Sequence, residues 1–223
     1  ELIRDNSHIA APGTFATGYH LTEDLFDQAI QFVASHEASI PDKPWMTLVG
    51  LGACHAPHQA PKELISHYDN VFRRGWDTER AERLARQIAL GIVPEGTQLP
   101  ARNDFVEAWE DLDDITRRVA TRLQAAYAAM LDHADKHLAR LIDHLEFSGQ
   151  LDNTVIMVLS DNGASQEGGP LGFVNAMGPY NGLPEPIDAK FDRIDDIGGP
   201  DTHSNFPWGW SMAANTPLRR YKQ

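Results

Sequence analysis

Leu25, Phe26, Ala29, Ile30 and Val33 recur at intervals of three and four, the spacing that lines one face of a helix. Thr22 precedes Glu23 and Asp24, so it is the expected N-cap, with acids where the helix dipole favours them. A longer stripe of Val119, Leu123, Tyr127, Leu131, Ala134, Leu138, Leu141 and Leu145 predicts a helix from about Asp113 to Phe147, and Gly149 is placed to end it. Thr78–Leu90 predicts another, and Pro61 sits where the first turn of a helix through Leu64, Ile65 and Tyr68 belongs. Trp45–Leu51 and Thr154–Leu159 are different. They are almost unbroken apolar runs of strand length, as buried strands show. Residues 1–20 are weakly patterned and read as loop. The chain is rich in glycine and proline from Gly163 through Pro200, and such long aperiodic segments are often functional. Strand, helices, long helix, strand: that order predicts an α/β layer protein.

Composition narrows the function classes. The chain has 223 residues, 42% apolar and 23% charged, enough for one domain with a sizeable core. Its net charge of -13 argues against nucleic acid as a partner. A small anion stays admissible, because a local cation can reverse the field inside one cleft. Cys54 is the single cysteine, which excludes an internal disulfide or a cysteine zinc site. No apolar run reaches the ~18 residues of a membrane span, and no signal peptide is visible. The chain opens on Glu1 and stops at Gln223 directly after a dense motif, so it is expected to be a piece of a longer protein.

The chemistry gathers where apolar runs end. After Leu159 the chain turns polar at Ser160-Asp161-Asn162-Gly163. In open α/β sheets ligands collect outside the carboxyl ends of strands. A carboxylate and an amide oxygen there are hard ligands for Ca²⁺ or Mg²⁺. The same three residues suit an Asx turn, and taken alone they favour it. His55 and His58, in the proline-stiffened loop 53–61, could serve as general acid or anion donor, or lie solvated on a surface loop. Cys54 beside His55 is a poor nucleophile–base pair, because adjacent residues in an extended loop point apart. Arg219, Arg220 and Lys222 could clamp an oxyanion or form a basic frayed end. His133 and His137 are four apart on the long helix but off its apolar stripe, so a solvated face is expected rather than a metal pair. Asp113-Asp114 reads as a helix start and Asp195-Asp196 as loop.

Four stretches then occur in a fixed order: GYHLTEDL at 18–25, GACHAPHQAPKE at 52–63, the apolar run with SDNGASQEGG at 160–169, and GWSMAANTPLRRYK at 209–222. Together they resemble the type I sulfatases, the arylsulfatase branch of the alkaline-phosphatase-like superfamily, from about Gly18 to Lys222. The resemblance implies a mostly parallel sheet with helices on both faces, incomplete here, and residues 1–223 as the central part of a catalytic domain. It implies hydrolysis of small sulfate esters by a formylglycine nucleophile with a divalent cation, Ca²⁺ or alternatively Mg²⁺. By the same resemblance Asp161 and Asn162 are metal ligands, while His55 and Lys222 contact the sulfate and serve catalysis.

Those residue types suit the reaction. Sulfate ester cleavage puts charge on the leaving oxygen, which a histidine can protonate. The nonbridging oxygens stay anionic and are stabilised by metal and lysine. The chain also departs from the family. The nucleophile signature Cys-x-Pro-x-Arg is absent, since Cys54 stands in Cys-His-Ala-Pro-His. The family's upstream paired aspartates and Lys-x-His are absent too. The isolated chain is therefore expected to be inactive. Two other readings remain open: a phosphonate or phosphate ester hydrolase of the same superfamily, and a non-catalytic metal- or anion-binding protein.

Overall fold

A computed structural model describes Leu2–Lys222. The chain divides into two compact units: residues up to Ala53 with Asp132–Ile156, and Cys54–Leu131 with Met157 onward. The helices are α1 (Leu21–Ser39), α2 (Lys62–Phe72), α3 (Gly75–Ala89), α4 (Asp114–Phe147), α5 (Met177–Tyr180), α6 (Ile187–Asp192) and α7 (Trp208–Ala214). Helix α4 is continuous and contributes residues to both units.

In the first unit the expected N-terminal loop is instead a hairpin. Strand β1 (Leu2–Arg4) pairs antiparallel with β2 (Ser7–Ile9). Asp5 and Asn6 between them both take positive φ, 49° and 64°, as the commonest two-residue hairpin turn requires. Helix α1 starts one residue before the expected cap. His20 is the N-cap, its Nδ1 accepting from the Thr22 N–H at 3.2 Å. Gly149 ends α4 as expected. It adopts φ 72° and donates to the Glu146 carbonyl, while the Gln150 N–H reaches the Leu145 carbonyl at 2.8 Å, the paired bonds of a Schellman end.

The solvated face expected for His133 and His137 is a second correction. Both are 8% exposed. The His133 ring lies 4.3 Å from His20 and 4.5 Å from His137, which stacks on Phe26. Counting the stripe from its leucines alone missed that imidazoles can pack as aromatics.

The second unit is built around indoles. Trp76 of α3, Trp109 and Trp210 of α7 meet edge-on at 4.8–5.8 Å, with Phe72 against Trp210. Val119, Leu123 and Ala126 of α4 close this core. The Trp210 indole donates to the Ala120 carbonyl at 2.9 Å, so its one polar atom is satisfied where it is buried. Asp113 caps α4, accepting from the Thr116 N–H at 2.7 Å and the Thr116 hydroxyl at 3.0 Å, and these bonds hold its carboxyl below the usual range.

The mostly parallel sheet that the resemblance implies is not formed among the described residues. Trp45–Leu51 and Thr154–Leu159 run without ladder partners. Leu48 is 87% exposed, Val155 84% and Leu159 81%. A strand satisfies its backbone through neighbouring strands, and the described residues supply none here. No described helix is long and apolar enough to cross a membrane.

Burial holds His133 near a pKa of about 4, with His20 and His137 adding to the effect. His58 is pushed down to about 3. Both imidazoles are therefore neutral in the native state and bind protons more readily when unfolded. The stability they contribute is complete above their ordinary value of 6.5 and is lost as pH falls toward their folded values. Chemical denaturation should show a lower midpoint at about pH 5 than at about pH 7.5, and the difference should shrink in His133→Gln. An equal midpoint at the two pH values would contradict neutral, buried imidazoles.

Candidate active site

Helix α7 carries the site's frame. Its indole Trp210 is buried in the tryptophan core, which fixes Asn215 one residue beyond the helix end. The Asn215 amide pairs with one backbone unit as a neighbouring strand would. Its Oδ1 accepts from the Ala164 N–H at 3.1 Å and its Nδ2 donates to the Ala164 carbonyl at 3.0 Å. This approach requires glycine at 163, because a Cβ there would lie 2.3 Å from Asn215 Oδ1. The Ser211 hydroxyl donates to the Ser165 carbonyl at 2.7 Å, and the Trp208 indole to the Gln166 carbonyl at 2.7 Å. The turn after Asn162 is thus held from α7 at three successive residues.

Lys222 joins the same turn. Its N–H donates to the Ala164 carbonyl at 3.0 Å, and it forms a parallel bridge with Ser165. The main chain at Lys222 is therefore bonded rather than frayed. The Lys222 ammonium lies 4.0 Å from Glu167 Oε1, with both groups partly exposed, a contact worth little in water and one an incoming anion can displace. Arg219 points elsewhere, 3.6 Å from Asp104.

Asp161 and Asn162 are exposed. No hydrogen bond or ion pair engages the Asp161 carboxylate among the described residues. Asn162 Nδ2 donates to the Gly163 carbonyl at 3.2 Å, which leaves its Oδ1 available. The Ser160 hydroxyl closes the turn on the Asn162 carbonyl at 2.7 Å. One unpaired carboxylate and one amide oxygen fit a hard divalent cation as a partial ligand set. No cluster of three or more His, Cys, Asp or Glu residues suited to a metal occurs among the described residues, so these two oxygens need completion from other groups.

His55 sits on the loop before α2. Its Nδ1 faces the Ala56 carbonyl at 2.7 Å, and the residue is exposed. Its neighbour His58 is 2% exposed, between Tyr127 and Phe206 at 5.2 and 5.0 Å. Burial first, then His55 and His203 nearby, keep His58 neutral. The two histidines, alike in sequence, thus separate into one exposed and one structural. The loop is pinned by the His58 N–H on the Ser204 carbonyl and the Ala60 N–H on Gly198. Residues 202–211 therefore form a shared spine, with the His55 loop at one end and the Asp161 turn at the other. Among the described residues no hydrogen bond or ion pair links the His55 ring to Asp161, Asn162 or Lys222. Burial pushes the Cys54 thiol up, against the opposing effect of its hydrogen bond with Tyr127, which disfavours it as a nucleophile.

Sequence reasoning missed Asn215, Ser211 and Glu167. Asn215 lay inside a quoted motif, and the signal that could have found it is an amide one residue past a helix end, opposite a glycine-containing turn.

Comparisons with known proteins identify the family. A sulfatase family model matches residues 3–209. An uncharacterized sulfatase of Schizosaccharomyces pombe is 30% identical over 213 residues, covering 93% of this chain and 35% of the relative. An arylsulfatase of Klebsiella aerogenes is 26% identical over 219 residues, covering 98% and 44%. An arylsulfatase of Clostridium perfringens is 23% identical over 158 residues, covering 71% and 29%. The chain belongs to the sulfatase family, which implies the alkaline-phosphatase-like α/β fold. It spans less than half the length of these relatives.

Replacing Asn215 with alanine leaves the Ala164 amide unpaired and frees the turn. Asn215→Ala should cost about 1–3 kcal/mol and raise amide exchange at Ala164, Ser165 and Lys222 together. Unchanged exchange at those three positions would show that the amide does not hold the turn.

Proposed function

We propose that these residues form the metal-and-anion side of a catalytic domain that hydrolyses sulfate esters, with the nucleophile in another part of the polypeptide. The observation that carries this reading is the pairing of Lys222 with the turn that immediately follows Asp161 and Asn162. It brings the Lys222 main chain beside the turn that follows an unpaired carboxylate and an amide oxygen.

Each residue then has a distinct role. Asp161 and Asn162 would hold a divalent cation, Ca²⁺ or alternatively Mg²⁺, through hard oxygens, and such a cation would supply Lewis-acid stabilisation of the sulfate's negative charge. Lys222 leaves Glu167 and donates to a nonbridging oxygen of the ester, a fixed positive charge where negative charge persists through bond cleavage. His55 delivers a proton from Nε2 to the departing alcohol oxygen, while the Ala56 carbonyl fixes the ring through Nδ1. Formylglycine, the family's nucleophile, has no counterpart at Cys54, whose thiol is raised by burial and lies outside the required signature. The two unpaired apolar runs fit the same reading, since strands of the remaining domain would cover them.

The isolated 223 residues should show no turnover of an aryl sulfate, and calorimetry should find weak Ca²⁺ binding that is lost in Asp161→Ala. In a polypeptide carrying this segment together with a Cys-x-Pro-x-Arg nucleophile, Lys222→Ala, Asp161→Ala and chelation should each lower kcat/KM by about 10²-fold or more. Robust turnover by the isolated chain, abolished by His55→Ala, would overturn the division of labour. Faster hydrolysis of phosphate than of sulfate esters would overturn the substrate class.

A further inference from the structure

Arg80 stands where helix α3 would be expected to carry an apolar residue. Trp76, Arg80 and Leu84 follow at four-residue spacing and are all buried, so they share the inward face. Arg80 is 3% exposed. Arginine is almost never buried this far without a partner, and its guanidinium stays charged. Yet Arg80 Nε and Nη2 meet no hydrogen-bond partner among the described residues. Two more polar side chains share that condition. Asn103, 8% exposed, leaves both Oδ1 and Nδ2 unpaired, and the Tyr221 hydroxyl is buried and unpaired as well. A single buried, unsatisfied group calls for an explanation, and here three side chains need the same one.

They belong to three segments that meet. Arg102 Nε lies 3.1 Å from Asp77 Oδ1 of α3. The Asn103 N–H donates to the Met212 sulfur of α7 at 3.5 Å. Gln87 Nε2 of α3 donates to the Thr216 carbonyl at 2.8 Å, and Arg219 approaches Asp104 at 3.6 Å. Burial lowers the Arg80 guanidinium, Asp77 opposes this, and Arg102 and Arg219 lie near enough to add to it. Burial raises the Tyr221 hydroxyl, against the nearby Asn103 amide and Arg80. The Arg102–Asp77 and Arg219–Asp104 pairs each offset their own charges, which leaves the Arg80 guanidinium as the uncompensated one. The two outer arginine side chains are 38% and 48% exposed, so the cluster opens to solvent on their side.

We propose that Arg80, Asn103 and Tyr221 form a second anion site, which takes a small carboxylate. Nε and Nη2 lie along one edge of the guanidinium and match the two oxygens of a carboxylate. Asn103 Nδ2 and the Tyr221 hydroxyl supply further donors. One uncompensated positive charge suits a monoanion better than a dianionic sulfate or phosphate. The site shares no residue with the Asp161 turn and does not rest on the sulfate-ester reading. It does bear on it, because Tyr221 precedes Lys222. A carboxylate held by Tyr221 steadies the segment that places Lys222 on the Ala164 carbonyl.

The test is a titration of the 223-residue chain with sodium acetate against sodium chloride at equal ionic strength, followed by NMR and by the thermal midpoint. Acetate should saturate with a Kd below about 10 mM. It should shift the Arg80 Nε–H and the Asn103 and Tyr221 amide signals, slow exchange at the Lys222 amide, and raise the midpoint. Arg80→Met should abolish the response. Tyr221→Phe keeps the ring that stacks on Trp208 and should weaken acetate by about threefold or more, so the test does not depend on Arg80→Met folding. Lys222→Ala and Asp161→Ala should leave acetate binding unchanged, which keeps this site's failure distinct from that of the oxyanion reading. No saturable shift, or a response that survives both Arg80→Met and Tyr221→Phe, would overturn the site. Inorganic sulfate binding more tightly than acetate at the Arg80 signal would overturn the carboxylate assignment.

Discussion

The pairing of the Asn215 amide with the Ala164 backbone is the contact on which the rest of the site depends. A side-chain amide can offer the donor and acceptor that a neighbouring strand would, and here it does so for the Ala164 backbone unit. The Ala164 carbonyl then serves two partners, Asn215 Nδ2 and the Lys222 N–H. Through that one oxygen the register of Lys222 is set against Asp161 and Asn162. Glycine at 163 is the steric condition for it.

Asn215 holds its place because α7 cannot slide. Trp210 is buried among Trp76, Trp109 and Phe72, and its indole nitrogen is committed to the Ala120 carbonyl. Aromatic contacts of this kind contribute about 0.5–1.5 kcal/mol each beyond burial. The order of dependence runs from indole core to helix, from helix to amide, and from amide to turn. Residues 202–211 extend the same frame to the His55 loop, so a single stretch of chain organises both ends of the proposed site.

The helices were legible because their periodicity is long and their ends carry strong local signals, as Gly149 and Asp113-Asp114 show. The hairpin is not legible, because Asp and Asn at 5 and 6 suit an open loop as well as the positive φ that the turn needs. The apolar runs at 45–51 and 154–159 read as buried strands, and their composition still says so. What the described residues lack is neighbours for them, and a one-dimensional pattern cannot report who the neighbours are. At the site, resemblance to sulfatases named Asp161, Asn162, His55 and Lys222, and the geometry relates Lys222 to the Asp161 turn while placing His55 on a separate loop. Asn215 stayed invisible because its role is a backbone mimicry that no composition or spacing rule encodes. His133 and His137 are polar by composition, yet their imidazole rings pack against aromatic neighbours and are buried.

The proposed function requires the Asp161–Asn162 turn, Lys222 and the His55 ring to come within reach of one bound cation. Mn²⁺, a paramagnetic stand-in for the hard divalent cation, tests it without any turnover. Added to the isotope-labelled chain, it should broaden the amide signals of Ala164, Ser165 and Lys222 and the ring signals of His55, and Asp161→Ala should abolish the effect. Broadening centred instead on His133 and His137, or broadening at the Asp161 turn that spares both Lys222 and His55, would contradict the account.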